Sequence, residues 1–235
     1  GETQHEVKLT RGFWLAKTET TQRQWESVMG DNPSHFKGAD LPVEKVSWTD
    51  CQEWLSKMNK KHPLPKGWKW ELPTNAQWEY ACRAGTETAF SFGNALNGKE
   101  ANCDGSYPYP RTNAEGPNLG KTAKVGSYAA NAWSLHDMHG NVAEMCRDWD
   151  TQSWWLEGSL SDGAIDPVGP VSGSFRVYRG GSWRSGARES RSASRRGASP
   201  DLRNDDLGFR PALVPTTSDR SKGKWLKGGR KWFKK

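Results

Sequence analysis

The chain has 235 residues, enough for one large domain or two small ones with a sizeable core. Only 34% of the residues are hydrophobic, but 14 Trp and 7 Phe predict an aromatic-rich core, while 25 Gly and 13 Pro argue against a helical bundle. The net charge of +7 comes from residues 221–235, which hold seven cations and no acid, so residues 1–220 are formally neutral.

The first half of the chain carries the clearest secondary-structure signals. Residues 6–17 are rich in strand formers and predict two short strands or one bulged strand. Capping-box patterns beginning at Thr21, Ser47 and Thr74 each precede apolar residues at helical spacing and predict three helices, the first ended by Gly30 and the third by Gly85. Alternation of Trp and charged residues predicts a strand over 68–71.

Residues 86–131 change to Gly, Asn, Pro and Ser and predict a long irregular loop. Such a loop inside a compact domain is usually functional, or held by a ligand such as a metal ion. The four cysteines, Cys51, Cys82, Cys103 and Cys146, lack CxxC spacing and argue against a zinc site. They are interpreted as buried thiols or as one or two disulfides.

The sequence DMHGNVAE, residues 137–144, is the sharpest local cluster for metal binding. Asp137 and Glu144 are two carboxylates seven residues apart, and inward-facing carbonyls between them would complete the oxygen ligands that calcium requires. Two other interpretations stay open. The segment is also typical of a structural polar loop, and His136 with His139 is a candidate transition-metal pair.

The Arg-rich run, residues 184–206, lies between the apolar, Gly-containing anchors RGGSW and LGFR. It holds six Arg, four acids and no aromatic residue, so we predict a solvent-facing surface that the core holds at both ends. Its Arg residues are suited to bidentate binding of phosphate, sulfate or carboxylate, or else form a solvated face of internal ion pairs. Ser182 follows two glycines but lacks the G-x-S-x-G elbow of a nucleophilic serine.

Residues 216–235 are interpreted as a basic tail that follows one domain over residues 1–215. Trp225, Trp232 and Phe233 alternate there with cations, a composition suited to a polyanion such as single-stranded nucleic acid or an anionic membrane surface. A disordered, solubilising terminus is the other interpretation. The sequence opens on a polar stretch without a signal peptide, so we expect a trimmed product with an extracytoplasmic or cell-surface location.

Six motifs in order resemble the formylglycine-generating enzyme (sulfatase-modifying factor) family. They cover roughly residues 6–214 and read GFWLAKTETTQRQWESVMGDNPSHFKG, LPVEKVSWTDCQEW, LPTNAQWEYACRAG, KVGSYAANAWSLHDMHGNVAEMCRDW, RVYRGGSW and DLGFRPAL. The resemblance implies an α+β, C-type-lectin-like domain with sparse regular structure. It also implies structural calcium, bound by the side chains of Asp137 and Glu144 and the carbonyls of Gly140 and Val142.

One departure from the family bears on activity. Formylglycine formation in the family depends on a copper-binding cysteine pair shortly after GGS, but the last cysteine here is Cys146. Copper(I) needs thiolates, and Ser185 or Ser190 cannot replace them. We therefore expect neither copper nor formylglycine production.

Three functions are compatible with the resemblance. The first is a non-catalytic recognition module, related to the variable proteins of diversity-generating retroelements, with a protein or other macromolecular ligand at the 184–206 surface. The second is an oxidoreductase with a different metal site, and the third is a purely structural role. Recognition is preferred, and the predicted ligand-binding residues are Trp183, Arg184, Ser185, Arg188, Glu189, Arg195, Arg196 and Arg203.

Overall fold

Each of the three predicted helices begins at its capping box. A computed structural model describes residues 6–62, 64–150 and 163–216, and places α1 at Gln22–Met29, α2 at Trp48–Lys61 and α3 at Asn75–Arg83. In every case the N-cap hydroxyl accepts the third residue's N–H while that residue's side chain returns to the N-cap. Gly30 caps α1 in the left-handed conformation, as predicted. The left-handed cap of α3 is Ala84, one residue before the predicted Gly85.

The strands among the described residues are short and form three sheets. Strands β1 (Val7–Lys8) and β5 (Ala164–Ile165) pair in parallel. Strand β9 (Ala212–Pro215) lies antiparallel between β2 (Trp14–Leu15) and β3 (Trp68–Glu71). The third sheet has the order β7-β6-β4-β8, with β4 at Ala143–Asp150, β6 at Phe175–Arg179, β7 at Arg195–Ala198 and β8 at Leu207–Gly208.

Strand β4 determines where the Arg-rich run lies. Strand β6 is antiparallel to β4 on one side, and β8 is parallel to it on the other. The run leaves the sheet after β6 and returns to it at β8, so its two ends lie on opposite sides of β4. Its second half adds β7 to the outer edge of β6.

The core divides into three clusters of buried side chains. The largest packs Trp25, Trp54 and Phe209 between α1, α2 and the sheets, and the second surrounds Trp78 on α3. Edge-to-face contacts join Phe209 to Trp25 and Trp54, at centroid distances of 6.0 and 5.3 Å. The predicted aromatic core is therefore present.

The long loop between α3 and β4 builds the third cluster. Phe90, Leu96 and Cys103 from the loop bury themselves against Ala187 of the run. The predicted irregular segment has no helix or strand, and its apolar residues pack against the buried side of the run at Ala187. All four cysteines are buried free thiols, and none of the described helices is long and apolar enough to cross a membrane.

Candidate ligand-binding site

Both anchors of the Arg-rich run are buried in the core. Arg179 is 2% exposed and Arg210 is fully buried. Gly180 and Gly181 both have positive φ, and a Cβ at Gly181 would lie 2.4 Å from Ser190 Oγ, so this close approach requires glycine. The backbone at the start of the run is therefore fixed, and so is its return through β8.

Arg179 holds the middle of the run. Its Nη1 donates to the carbonyls of Ser192 and Ser194, at 2.9 and 3.0 Å, and its Nε donates to Asn75 at 2.6 Å. Its Nη2 pairs with Glu79 at 2.7 Å. Burial alone would raise the pKa of Glu79, but the Arg179 and Arg83 guanidinium groups hold that pKa below its ordinary value.

The prediction that the run cannot bury itself is wrong for its small residues. Ala187, Ser190, Ser192, Ser194 and Ala198 are all buried, in a 3-10 helix over Ala187–Ser190, in strand β7 and in the turn between them. Small side chains cost little to desolvate, and Arg179 satisfies two of the carbonyls. The longer side chains at Arg184, Arg188 and Arg196 are exposed, as predicted.

Trp183 and Arg184 form one end of the presented surface. The Arg184 guanidinium lies 4.5 Å from the Trp183 ring and pairs with Asp205 and, at 3.7 Å, with Asp206. The Trp183 indole donates to the Asp205 carbonyl at 3.1 Å. Ser185 faces inward, where its hydroxyl contacts Ser182 Oγ at 3.0 Å. Two predicted ligand-binding residues are therefore held in place, and Ser185 is a structural contact.

The remaining predicted residues do not form one patch. Glu189 pairs with Arg196 at 3.4 Å, and Arg188 is exposed beside them. Arg195 and Arg196 are consecutive in β7, so their side chains leave opposite faces of the sheet. Arg203 makes a bidentate pair with Asp50 on α2, at 2.8 Å for both contacts. The grouping of Arg195 and Arg203 with the others is not seen, because strand alternation and Asp50 direct their side chains elsewhere.

Sequence reasoning missed Glu44, which is linked to Trp183 through Phe36. The Phe36 ring meets the Trp183 ring edge to face at 5.5 Å, and Glu44 Oε1 accepts the Phe36 N–H at 2.8 Å. Glu44 is fully buried, and its Oε2 has no hydrogen-bond partner in the part of the chain that the structure describes. Burial raises the pKa of Glu44 to about 7. A single acid followed by Lys45 carries no sequence signal for such burial, although Val43 and Val46 on either side are apolar.

Replacing Glu44 by Gln is expected to change how stability depends on pH. The folded state holds the Glu44 proton up to about pH 7, against an ordinary pKa of 4.5, so this carboxyl costs stability as pH rises through that window. Glu44→Gln should therefore gain stability relative to the parent chain at pH 8 compared with pH 5, measured by urea unfolding. The exposed Glu53→Gln serves as control. Identical pH dependence in parent and Glu44→Gln would contradict this assignment.

The residues of the predicted calcium loop surround Arg210. Glu144 accepts both Arg210 Nη2 and Nε at 2.7 Å, and its Oε2 also accepts the Trp78 indole at 2.6 Å. Asp137 has a positive φ and accepts the Gly126 N–H at 2.6 Å. Burial, and next the charge of Asp137, raise the pKa of the nearby Glu19 well above its ordinary value.

This donor set fits a calcium ion in part. Three buried acids, Glu19, Asp137 and Glu144, share the single guanidinium of Arg210, and Glu19 Oε2 has no hydrogen-bond partner among the described residues. A cation would offset that excess of negative charge. However, within residues 6–62, 64–150 and 163–216 no three His, Cys, Asp or Glu side chains are arranged to hold a metal ion. Carbonyls, including those of Gly140 and Val142, would have to supply most of the ligands.

The two histidines of this loop make separate contacts. His136 Nδ1 contacts the Tyr128 carbonyl at 2.8 Å, and His139 lies between the Ser190 carbonyl, at 2.8 Å, and Ser91 Oγ, at 3.0 Å. Burial lowers the pKa of His139 to about 4, so the ring is neutral at pH 7. It acts as a packed support beneath the run. The two residues of the candidate transition-metal pair, His136 and His139, are therefore engaged in separate hydrogen bonds.

Comparison with known proteins identifies the scaffold. A family model described as the sulfatase-modifying factor enzyme 1-like domain matches residues 2–214. The chain is 30% identical over 211 residues to the chaperone protein LppX of Paenibacillus barcinonensis, covering 73% of this chain and 69% of that protein. It is 34% identical over 211 residues to the formylglycine-generating enzyme of Bos taurus, covering 82% of this chain but only 52% of the bovine enzyme.

Among solved structures, Treponema denticola variable protein 1 is similar with a TM-score of 0.77 and 30% identity. The match covers 90% of this chain and 87% of that one. PvdO from Pseudomonas aeruginosa has the same fold, with a TM-score of 0.66 at 23% identity. These similarities confirm the predicted α+β, C-type-lectin-like fold class.

Proposed function

The chain belongs to the sulfatase-modifying factor enzyme family, and we propose that it uses this scaffold to bind a ligand on the Arg-rich run, without catalysis. The proposal rests on the contrast within the run between buried small residues and exposed arginines. Its small residues are buried and fixed by Arg179, while Arg184, Arg188 and Arg196 extend into solvent. Such an arrangement keeps the backbone constant while the exposed side chains are free to determine what is bound.

The positions of the family's copper cysteines support a non-catalytic role. Ser185 and Ser190 occupy this region, Ser190 is buried, and no cysteine follows Cys146. We expect no aldehyde when the protein is incubated with copper, oxygen and a cysteine-containing sulfatase peptide, as measured by mass spectrometry. A bacterial or mammalian formylglycine-generating enzyme is the positive control. An aldehyde product would overturn the non-catalytic proposal.

The binding proposal is tested by comparing what two variants capture. The triple variant Arg184→Ala, Arg188→Ala, Arg196→Ala alters the run, and Arg23→Ala, Lys60→Ala, Lys61→Ala removes the same charge from α1 and α2. We expect quantitative pull-downs to show a ligand retained by the parent and the control variant and lost by the run variant. Equal capture by all three proteins would contradict the proposal.

The similarity to a variable protein supports a narrower form of the proposal, in which a retroelement diversifies the run. The physical requirement is that exposed positions change without loss of the fold, which the buried serines and alanines permit. A reverse transcriptase gene beside a near-copy of the DNA for residues 179–210 would support it. A neighbouring sulfatase gene without such a copy would count against it. The proposed polyanion contact of the basic tail involves residues 217–235, which lie outside the described part of the chain.

A calcium ion bound by Asp137, Gly140, Val142 and Glu144 forms the second part of the proposal. The excess of acids around Arg210 and the unpartnered Glu19 oxygen support it. Saturating calcium is expected to raise the melting temperature by about 5–10 °C over EDTA. Asp137→Ala should abolish that difference, and the exposed Asp31→Ala should retain it. Equal melting temperatures of the parent in calcium and EDTA would remove calcium from the scaffold.

A further inference from the structure

A second segment of the chain contacts the Arg-rich run and extends its exposed surface. Residues 104–111 of the long loop run alongside the start of the Arg-rich run, where the Asp104 N–H donates to the Ser185 carbonyl at 2.8 Å. The Ala187 N–H donates to the Tyr107 carbonyl at 3.0 Å. A Cβ at Gly186 would lie 2.9 Å from the Tyr107 Cβ, so the two segments are in direct contact. The two segments therefore form one continuous surface.

This joint surface combines cations with aromatic rings, and we call it the Tyr-Arg face: Tyr107, Tyr109, Arg111, Arg188 and Arg191. The Arg111 guanidinium lies 5.6 Å from the Tyr107 ring, and Arg191 lies 5.7 Å from the Tyr109 ring. Tyr107 is 53% exposed. Arg191 Nε also donates to the Arg188 carbonyl at 2.9 Å, a contact within the Arg-rich run.

Two cations of the Tyr-Arg face, Arg111 and Arg188, carry positive charge that no described acid neutralises. In the part of the chain that the structure describes, neither Arg111 nor Arg188 has an acidic partner, and both are exposed. Of the acids nearby, Glu189 pairs with Arg196, and Asp104 accepts the Ser106 N–H without pairing to a cation of the face. Two other arginines of the run are paired, Arg184 with Asp205 and Arg203 with Asp50.

We propose that the Tyr-Arg face binds an acidic segment of a protein, with carboxylates pairing to Arg111 and Arg188 and apolar atoms packing on Tyr107. This inference rests on the proposed ligand-binding function and names the class of partner. Arg and Tyr are enriched, and Lys depleted, in protein interfaces. The Arg-rich run has this composition, because it contains six Arg and no Lys in a chain whose Lys and Arg total 34. Carboxylates fit the planar guanidinium fork with two parallel hydrogen bonds.

The test uses a twelve-residue glutamate peptide with a central benzophenone, and maps photocrosslinks on the full chain by mass spectrometry. We expect crosslinks in residues 104–111 and 187–191. Arg111→Gln with Arg188→Gln should lower their yield about fivefold, whereas Lys60→Gln with Lys61→Gln should leave it within about twofold. A twelve-nucleotide single-stranded DNA with the same photoreactive group is the competing probe. We expect its crosslinks outside this face.

Three results would overturn the inference. Crosslinks in residues 184–206 but not in 104–111 would contradict the Tyr-Arg face and leave the proposed function standing. DNA crosslinks at the Tyr-Arg face would indicate a nucleic acid as the partner, in place of a protein, if Arg111→Gln with Arg188→Gln abolishes those crosslinks. Absence of peptide crosslinks from both segments would contradict the inference alone. The proposed function would be contradicted only if the variant Arg184→Ala, Arg188→Ala, Arg196→Ala also captured its ligand as well as the parent.

Discussion

Replacing Arg210 by Met is expected to destabilise the fold by about 3–5 kcal/mol, because it removes one partner of a buried ion pair. Arg210 is fully buried and donates to both oxygens of Glu144, and also to the carbonyls of Ala16 and His136, at 3.0 and 2.8 Å. Its loss leaves Glu144 close to Glu19 and Asp137 with no compensating cation among the described residues. The free energy of unfolding by urea measures the effect.

The matched control is Arg203→Met. Arg203 also makes a bidentate pair, with Asp50, but its side chain is 49% exposed, so we expect a loss below about 1 kcal/mol. The comparison separates burial from hydrogen-bond geometry. Equal losses in the two variants would show that burial of the Arg210 pair has no special role. The measurement should be made with and without calcium, because a bound cation would offset part of the loss.

Replacing Arg179 by Met is expected to detach the middle of the Arg-rich run. The substitution removes the donors to the Ser192 and Ser194 carbonyls and leaves Glu79 without its buried partner. We expect a loss of about 3 kcal/mol or more in the free energy of unfolding. Hydrogen exchange should become faster at residues 191–198 than elsewhere in the third sheet.

Arg23→Met provides the control for Arg179→Met. Arg23 pairs with Asp40 at 2.9 Å, but both side chains are exposed, so its removal should leave exchange in residues 191–198 unchanged. Unchanged protection of those amides in Arg179→Met would contradict the role of Arg179 as the support of the run. A uniform increase in exchange across the whole chain would show a global effect in place of a local one.

The elements governed by local rules were predictable from the sequence. Thr21, Ser47 and Thr74 each sit three residues before a side chain that completes the capping box, so the helix starts follow from short-range geometry. Low regular structure across 86–131 followed from its composition. The end of α3 was missed by one residue because Ala84 adopts a left-handed conformation normally left to the glycine that follows it.

The site depends on contacts that no local pattern encodes. Arg179 meets Glu79 from 100 residues away, and Arg210 meets Glu144 from 66 residues away. An Arg is most often a surface residue, and the apolar anchors around Arg179 and Arg210 do not by themselves show that these two side chains point into the core. Strand β7 was missed because RRGA lacks the β-branched and aromatic residues that mark strands. It forms by pairing with β6, and this pairing separates Arg195 from Arg196.

The Tyr-Arg face also could not be predicted from the sequence, because it combines residues that are distant along the chain. Tyr107 and Arg111 belong to a loop more than 70 residues before the run, and only the fold brings them beside Arg188. The sequence indicated that both segments were functional candidates, the loop for its length and the run for its charge. Their contact through Gly186 and Ala187 is a tertiary result.

We propose that the scaffold holds the Arg-rich run in place and leaves its exposed side chains accessible to a ligand. Surface display of every single substitution across residues 184–206, sorted by a conformation-dependent probe of the domain, tests it most directly. The account predicts that most substitutions at Arg188, Arg196 and Asp201 keep the fold, and that large residues at Ala187, Ser190, Ser192 and Ala198 abolish it. Equal tolerance at the buried and exposed positions would contradict the claim.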